Sequence, residues 1–152
     1  MRSAVGLDVG TKTIGVAASD GLGMLAHPVS TVRRRGVRQD CDAIESLVRE
    51  RQVGAWVVGL PLELDGEEER SARLARQVGE ELGRRTSLPV YYQDERFTSV
   101  EAERRLIHAG VSRAQRKLVI DQEAAVGILQ AWLEEGGVLY IEPLSATVLK
   151  SK

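Results

Sequence analysis

The sequence predicts an α/β fold: one mixed five-stranded sheet, an antiparallel meander first and parallel strands after, flanked by helices. Three observations lead there. The first third of the chain holds three short extended segments separated by turns, the pattern of a meander. Beyond the arginine cluster at 33–38, helical stripes alternate with apolar runs, as in parallel strands joined by helices. The 152 residues, 43% of them hydrophobic, are enough for one core without staples.

The elements follow in order. Ala4-Val5-Gly6-Leu7-Asp8-Val9 is an apolar run stopped by Gly10-Thr11-Lys12-Thr13. Ile14 to Ser19 is the second strand, and Asp20-Gly21 turns the chain. Leu22 to Val32 is a third extended segment, interrupted by Pro28. Asp40 is placed to cap a helix carrying Ile44, Leu47 and Val48. Ala55 to Leu60 is continuously apolar, as expected of a strand buried on both faces, and Pro61 stops it. A helix beginning near Asp65-Gly66 shows Leu74, Val78 and Leu82 as one stripe. Pro89 to Gln93 is the next strand. Thr98-Ser99-Val100-Glu101 is a capping box that starts a helix running to a Gly110 stop. Asp121 opens the last helix, whose stripe is Ala125, Ile128, Leu129 and Trp132, ending at Gly136-Gly137. Val138 to Ile141 offers a short further strand. The expected organisation is a single domain over 1–142 and a loose tail over 143–152, in a ribonuclease H-like layout.

Composition narrows the function. The single cysteine, Cys41, excludes an intramolecular disulfide or a thiolate zinc site within one chain. With 21 basic and 22 acidic residues, bulk charge points to no partner, and nucleic acid would need a local patch. The 17 arginines against 4 lysines suit phosphate recognition, although a GC-rich genome gives the same bias. No apolar run approaches a membrane span, and a soluble cytoplasmic protein is expected.

Three acidic positions carry the chemistry. Asp8 lies near the end of an apolar strand, where a carboxylate must be paired, protonated or bound to a cation, or else cap the Gly10-Thr11 turn. Asp94 and Glu95 end a later strand, where ligands collect in open α/β sheets, and neighbours on a strand point to opposite faces. Asp121 shares its helix face with the apolar stripe and so faces the sheet, or serves as an N-cap. Together such carboxylates suit Mg²⁺ or Mn²⁺, and a pair of ions about 3.5–4 Å apart can clamp both oxygens of a phosphodiester displacement. His27 and His108 have no ligand spacing.

The stretches Gly6 to Ala17, Gly59-Leu60-Pro61, Asp94 to Ala102, and Ile120 to Gln130 resemble, in order and over nearly all of the chain from Ala4 to about Glu135, the YqgF family, also called RuvX. Its members are small bacterial proteins described as Holliday junction resolvases or pre-16S rRNA nucleases. The resemblance implies a ribonuclease H-like fold and metal-dependent phosphodiester hydrolysis. It implies Asp8, Glu95 (or Asp94) and Asp121 as catalytic acids and metal ligands for Mg²⁺ or Mn²⁺, with Thr11, Lys12 and Arg96 near the substrate phosphate. Thr13 stands where many relatives carry a basic residue. The implied partner is structured RNA such as pre-16S rRNA, or alternatively branched DNA, acted on by a monomer or weak homodimer.

Two basic clusters fit a nuclease: Arg33, Arg34, Arg35 and Arg38 after the meander, and Arg113, Arg116 and Lys117 before Asp121. Each can hold backbone phosphates or be solvated surface charge. The acids from Glu63 to Glu69 favour the start of a helix. Base stacking is expected to be minor, with Tyr91, Tyr92 and Phe97 the only candidates. The Asp-x-Gly-Thr motif also opens actin-like ATPases, but those need two lobes and a second phosphate loop that this length does not supply. The remaining rival is a nuclease-like fold that binds without cutting.

Overall fold

The computed structural model describes residues 3–20, 25–60, 66–94, 107–110 and 112–135, with the side chains of 66–68 and 114–121 excluded. The strands are β1 (Ser3–Val9), β2 (Thr13–Ser19), β3 (Ala26–Arg33), β4 (Val53–Leu60) and β5 (Val90–Asp94). The helices are α1 (Val37–Leu47), α2 (Gly66–Thr86) and α3 (Arg113–Glu134), with one 3-10 turn at Arg49–Arg51. The strands form one mixed sheet in the order β3-β2-β1-β4-β5. β1 is antiparallel to β2 and β2 to β3, while β4 and β5 run parallel to β1. The predicted five-stranded sheet, meander first, is therefore the one found.

Each face of the sheet has its own core. On one side Leu7, Val9, Ile14, Val16, Trp56, Val58 and Leu60 pack with Ile44 of α1 and Val78 and Leu82 of α2. On the other, Ala4, Ala17 and Val57 pack with Ala125, Ile128, Leu129 and Trp132 of α3. Small residues on that second face let α3 come close. A Cβ on Gly6 would lie 2.7 Å from Leu129 Cβ and 3.0 Å from the Ala125 carbonyl oxygen, so only glycine fits there.

Several local expectations need correction. Asp40 does not cap α1; the helix begins at Val37 with Gly36 as N-cap, and Asp40 is buried in its first turn. Asp121 does not open the last helix, which starts at Arg113, so an N-cap role for it is excluded. The buried stripe of α2 is Ala72, Ala75, Val78 and Leu82, with Leu74 only partly covered. Pro28 is accommodated on the edge strand β3, where the register shifts between Val16 and Ala17 and no ladder hydrogen bond is needed from its nitrogen. Gly110 ends a helical turn with φ +79, as expected of a stop. The capping box, Val138 to Ile141 and the tail lie outside the described residues. No helix among those described is long and apolar enough to cross a membrane.

Candidate functional site

Strand register assigns each candidate to a face. Gly6 faces α3, so Asp8, two residues on, faces α3 as well. Asp8 pairs with Gly15 on β2, and Gly15 with Thr31 on β3. One step beyond the Leu7–Val58 pair sets Asp8 beside Gly59 on β4, which pairs with Gln93 on β5. Half-buried Asp8 thus stands at the middle of a cross-sheet row, between two glycines that bring no side chain, with polar Thr31 and Gln93 at the ends. Gln122 Nε2 of α3 donates to Thr31 Oγ1 at 3.2 Å, and Gln93 Nε2 donates to Glu135 Oε1 at 3.3 Å. The Gln122 bond carries the adjoining position 121 of α3 past the meander at the level of Asp8. Backbone placement therefore brings Asp8 and residue 121 to one end of one face.

Asp94 is on the other face. It pairs with Leu60, which belongs to the α1–α2 core, and its Oδ1 is shut off from solvent. Alternation beyond Asp94 would return the next residue to the face of Asp8. Glu95 and Arg96 themselves lie outside the described residues. Among the described residues no group of three His, Cys, Asp or Glu side chains is arranged to hold a metal ion. A cation site at Asp8 would thus draw its other ligands from outside that set, and the oxygen-only chemistry of Asp8, Glu95 and Asp121 fits a hard divalent ion.

Thr11 and Lys12 are exposed in the β1–β2 turn, directly after the strand that carries Asp8. Gly10 N–H donates to the Thr13 carbonyl at 2.8 Å and closes this turn. A clamp that sequence reading missed holds it from outside. Arg34 Nε donates to Asp40 Oδ2 at 2.8 Å, and Arg34 Nη1 to the Gly10 carbonyl at 3.1 Å. Arg34 N–H reaches the Lys12 carbonyl, and Arg35 N–H reaches Asp40 Oδ1 at 2.8 Å. Arg34 is therefore a structural cation rather than a phosphate ligand, which divides the first basic cluster. The row of Thr31, Gly15, Gly59 and Gln93 was equally invisible, because sequence period gives a residue's face but not its cross-strand partner.

The aromatic candidates for base stacking are otherwise engaged. Tyr91 packs against Trp132 with ring centroids 4.9 Å apart, and Arg76 lies 5.3 Å over the ring of Tyr92. Burial raises both phenols above their ordinary range, with Glu80 adding to the effect at Tyr92 and Arg76 opposing it. Phe97 lies outside the described residues. His27 Nε2 is 3.2 Å from Arg51 Nη1, far along the sheet from Asp8.

Comparison with known proteins places the chain in a family and a fold. Residues 2–135 match the RuvX family, described as Holliday junction resolvase. A Myxococcus xanthus protein named "Putative pre-16S rRNA nuclease" is 47% identical over 130 residues, covering 86% of each chain. A Moorella thermoacetica protein of the same name is 47% identical over 133 residues, covering 88% of this chain and 95% of its own. The fold is that of Thermus thermophilus RuvC, solved in complex with a Holliday junction substrate. That chain aligns with a TM-score of 0.55 at 14% identity, covering 90% of this chain and 98% of its own.

Proposed function

The chain belongs to the RuvX family of Holliday junction resolvases and is a nuclease, and on that premise we propose that it is a metal-dependent phosphodiester hydrolase acting in 5′-end maturation of the 16S rRNA precursor. The observation that carries the chemistry is Asp8, set between Gly15 and Gly59 on the face and at the level where α3 brings position 121. The substrate class rests on the names of relatives that this chain matches over most of both lengths.

Asp8, Glu95 and Asp121 would hold Mg²⁺ or Mn²⁺. A pair of such ions, when bound, would supply charge neutralisation at the phosphodiester and an activated water. Such a site needs no His, Cys or serine nucleophile. Asp94, on the opposite face, is the weaker candidate of the adjoining pair. Lys12 and Thr11 take the substrate phosphate from the exposed turn, and the Arg34–Asp40 clamp fixes where that turn stands. Arg96, two residues after β5 in the sequence, would add a second cation.

The family description favours one other reading, cleavage of a four-way DNA junction. Paired nicks on symmetric arms need two sites and hence a dimer, whereas end trimming of RNA needs one. The test is cleavage of a structured RNA with a precursor-like 5′ extension, a four-way DNA junction, and single strands of each kind. Mg²⁺ and Mn²⁺ are supplied separately, with Asp8→Asn as control. RNA trimming lost in the variant is expected. Paired nicks in the junction alone would reassign the substrate, and binding without any cleavage would leave a binding protein.

A further inference from the structure

Outside the Asp8 site, β3 and α1 enclose an open groove of about 470 Å³. Ala43 and Leu47 of α1 and Val32 of β3 give it an apolar floor, and Ser30, Ser46 and Gln39 line its sides. Arg33 and Arg35 stand at one end, both exposed. Among the described residues neither guanidinium has an ion-pair partner. The one acid lining the groove, Asp40, is already satisfied by Arg34 Nε and the Arg35 N–H, each at 2.8 Å. The groove therefore offers two unspent cations and, among its lining residues, no opposing free carboxylate.

The floor of the groove lies on the sheet face opposite Asp8, because Val32 and Ala43 belong to the α1–α2 core, and only its arginine end turns toward the candidate site. Arg33, at the end of the edge strand β3, pairs with Thr13, two residues past the row that contains Asp8, and so stands on the Asp8 face. Arg34 N–H is bonded to the Lys12 carbonyl, joining the phosphate turn to the same corner. β3 lies two strand spacings from β1, roughly 10 Å. A phosphate held by Arg33 or Arg35 is thus a different phosphate from the one at Asp8.

We propose that this groove takes the backbone of an unpaired nucleic-acid strand as it leaves the Asp8 site and turns round the end of β3, with Arg33 and Arg35 each holding one phosphate. The inference rests on the nuclease reading and names where its substrate continues. A cleft of about 470 Å³ between the edge strand β3 and α1 has room for the backbone of one strand and not for a duplex. None of the residues lining it is aromatic, so bases do not stack there and binding is independent of sequence.

The test is anisotropy titration of the full chain with a fluorescently labelled twelve-nucleotide oligouridylate, in EDTA to prevent cleavage, across a range of KCl. For single strands the slope of log K against log salt falls by about 0.7 for each phosphate that the protein no longer neutralises. Arg33→Gln/Arg35→Gln should reduce the slope by about 1.4, while Arg70→Gln/Arg73→Gln, exposed on α2, should leave it unchanged. Circular dichroism melting confirms the fold of each. An unchanged slope in the Arg33/Arg35 variant, or no binding by the wild type even at low salt, would overturn the assignment. So would an equal or greater loss of slope on a duplex of the same length. Asp8→Asn separates this from the catalytic reading, since it should lose cleavage and keep the full slope. Cleavage that survives Asp8→Asn would refute the catalytic assignment and leave the groove to stand on its slope alone.

Discussion

Removing the Asp40 carboxylate should loosen the corner that holds the phosphate turn. Asp40 is 1% exposed and its partner Arg34 11%, so solvent hardly screens their 2.8 Å contact. Asp40→Ala leaves a nearly buried guanidinium without its counter-charge and the Arg35 N–H without its acceptor. Breaking a buried pair from one side costs about 3–5 kcal/mol. Asp40→Asn keeps an oxygen for the Arg35 N–H but loses the charge-assisted bond, worth about 1.5–3 kcal/mol. Urea unfolding is the assay: at a slope of about 2 kcal/mol/M, Asp40→Ala should lower the midpoint by about 2 M without changing the slope. Because the two residues act as a unit, Arg34→Ala/Asp40→Ala should lose less than the sum of the single changes. Function should follow, with weaker RNA binding, since Arg34 Nη1 also anchors the Gly10 carbonyl. A loss under about 1 kcal/mol in Asp40→Ala, or strict additivity in the double variant, would refute the clamp.

Three further outcomes are expected. Gly6→Ala places a methyl group 2.7 Å from Leu129 Cβ and should cost about 1–3 kcal/mol by pushing α3 off the sheet. Thermal melting measures it, and an unaltered melting temperature would contradict the close approach. Cys41 is buried and its thiol is pushed up to about 12, chiefly by burial, so a thiol reagent at pH 8 should modify it only as fast as the protein unfolds. Rapid labelling of the folded chain would disprove this. Glu81 is held below its ordinary carboxylate range by hydrogen bonds from Arg84 and then Arg85. A depressed folded pKa gives stability that is present above the unfolded value of 4.5 and is lost as pH falls through the folded value. Glu81→Gln should accordingly be less stable than the wild type at pH 7, and the gap should close in acid. A gap independent of pH would show that charge is not its source.

What the sequence revealed and what it hid divide along a physical line. Local period placed β1, β2, β4 and the lower part of α3, because Val5, Leu7 and Trp56, or Ala125, Leu129 and Trp132, repeat at the spacing of their element. Resemblance to the family motifs singled out Asp8, Glu95 and Asp121 as the catalytic acids. Features that depend on pairing between elements had no such signal. Asp40 looked like a cap because Asp often is one, yet its partner Arg34 sits across a corner fixed only by the fold. Asp121 looked like a helix start because the apolar stripe begins at Ala125, although the helix begins at Arg113. Arg85 ties α1 to α2 through Asp42, Glu45 and Glu81, a hub spread over residues with no common spacing. Alternation predicted that Asp94 and Glu95 point to opposite faces, but only the Leu60–Asp94 pair shows that Asp94 is on the side away from Asp8.

That division by face is open to a direct measurement. Single-turnover cleavage of the precursor-like RNA would be compared among Asp8→Asn, Glu95→Gln, Asp121→Asn and Asp94→Asn at saturating Mg²⁺. If the catalytic acids share the face covered by α3, the first three should each lose cleavage by at least about 100-fold, the scale of a lost ligand or of the groups that support it. Asp94→Asn should retain most of the rate. Full activity in Asp8→Asn, or a loss in Asp94→Asn as deep as the others, would contradict that placement of the active site.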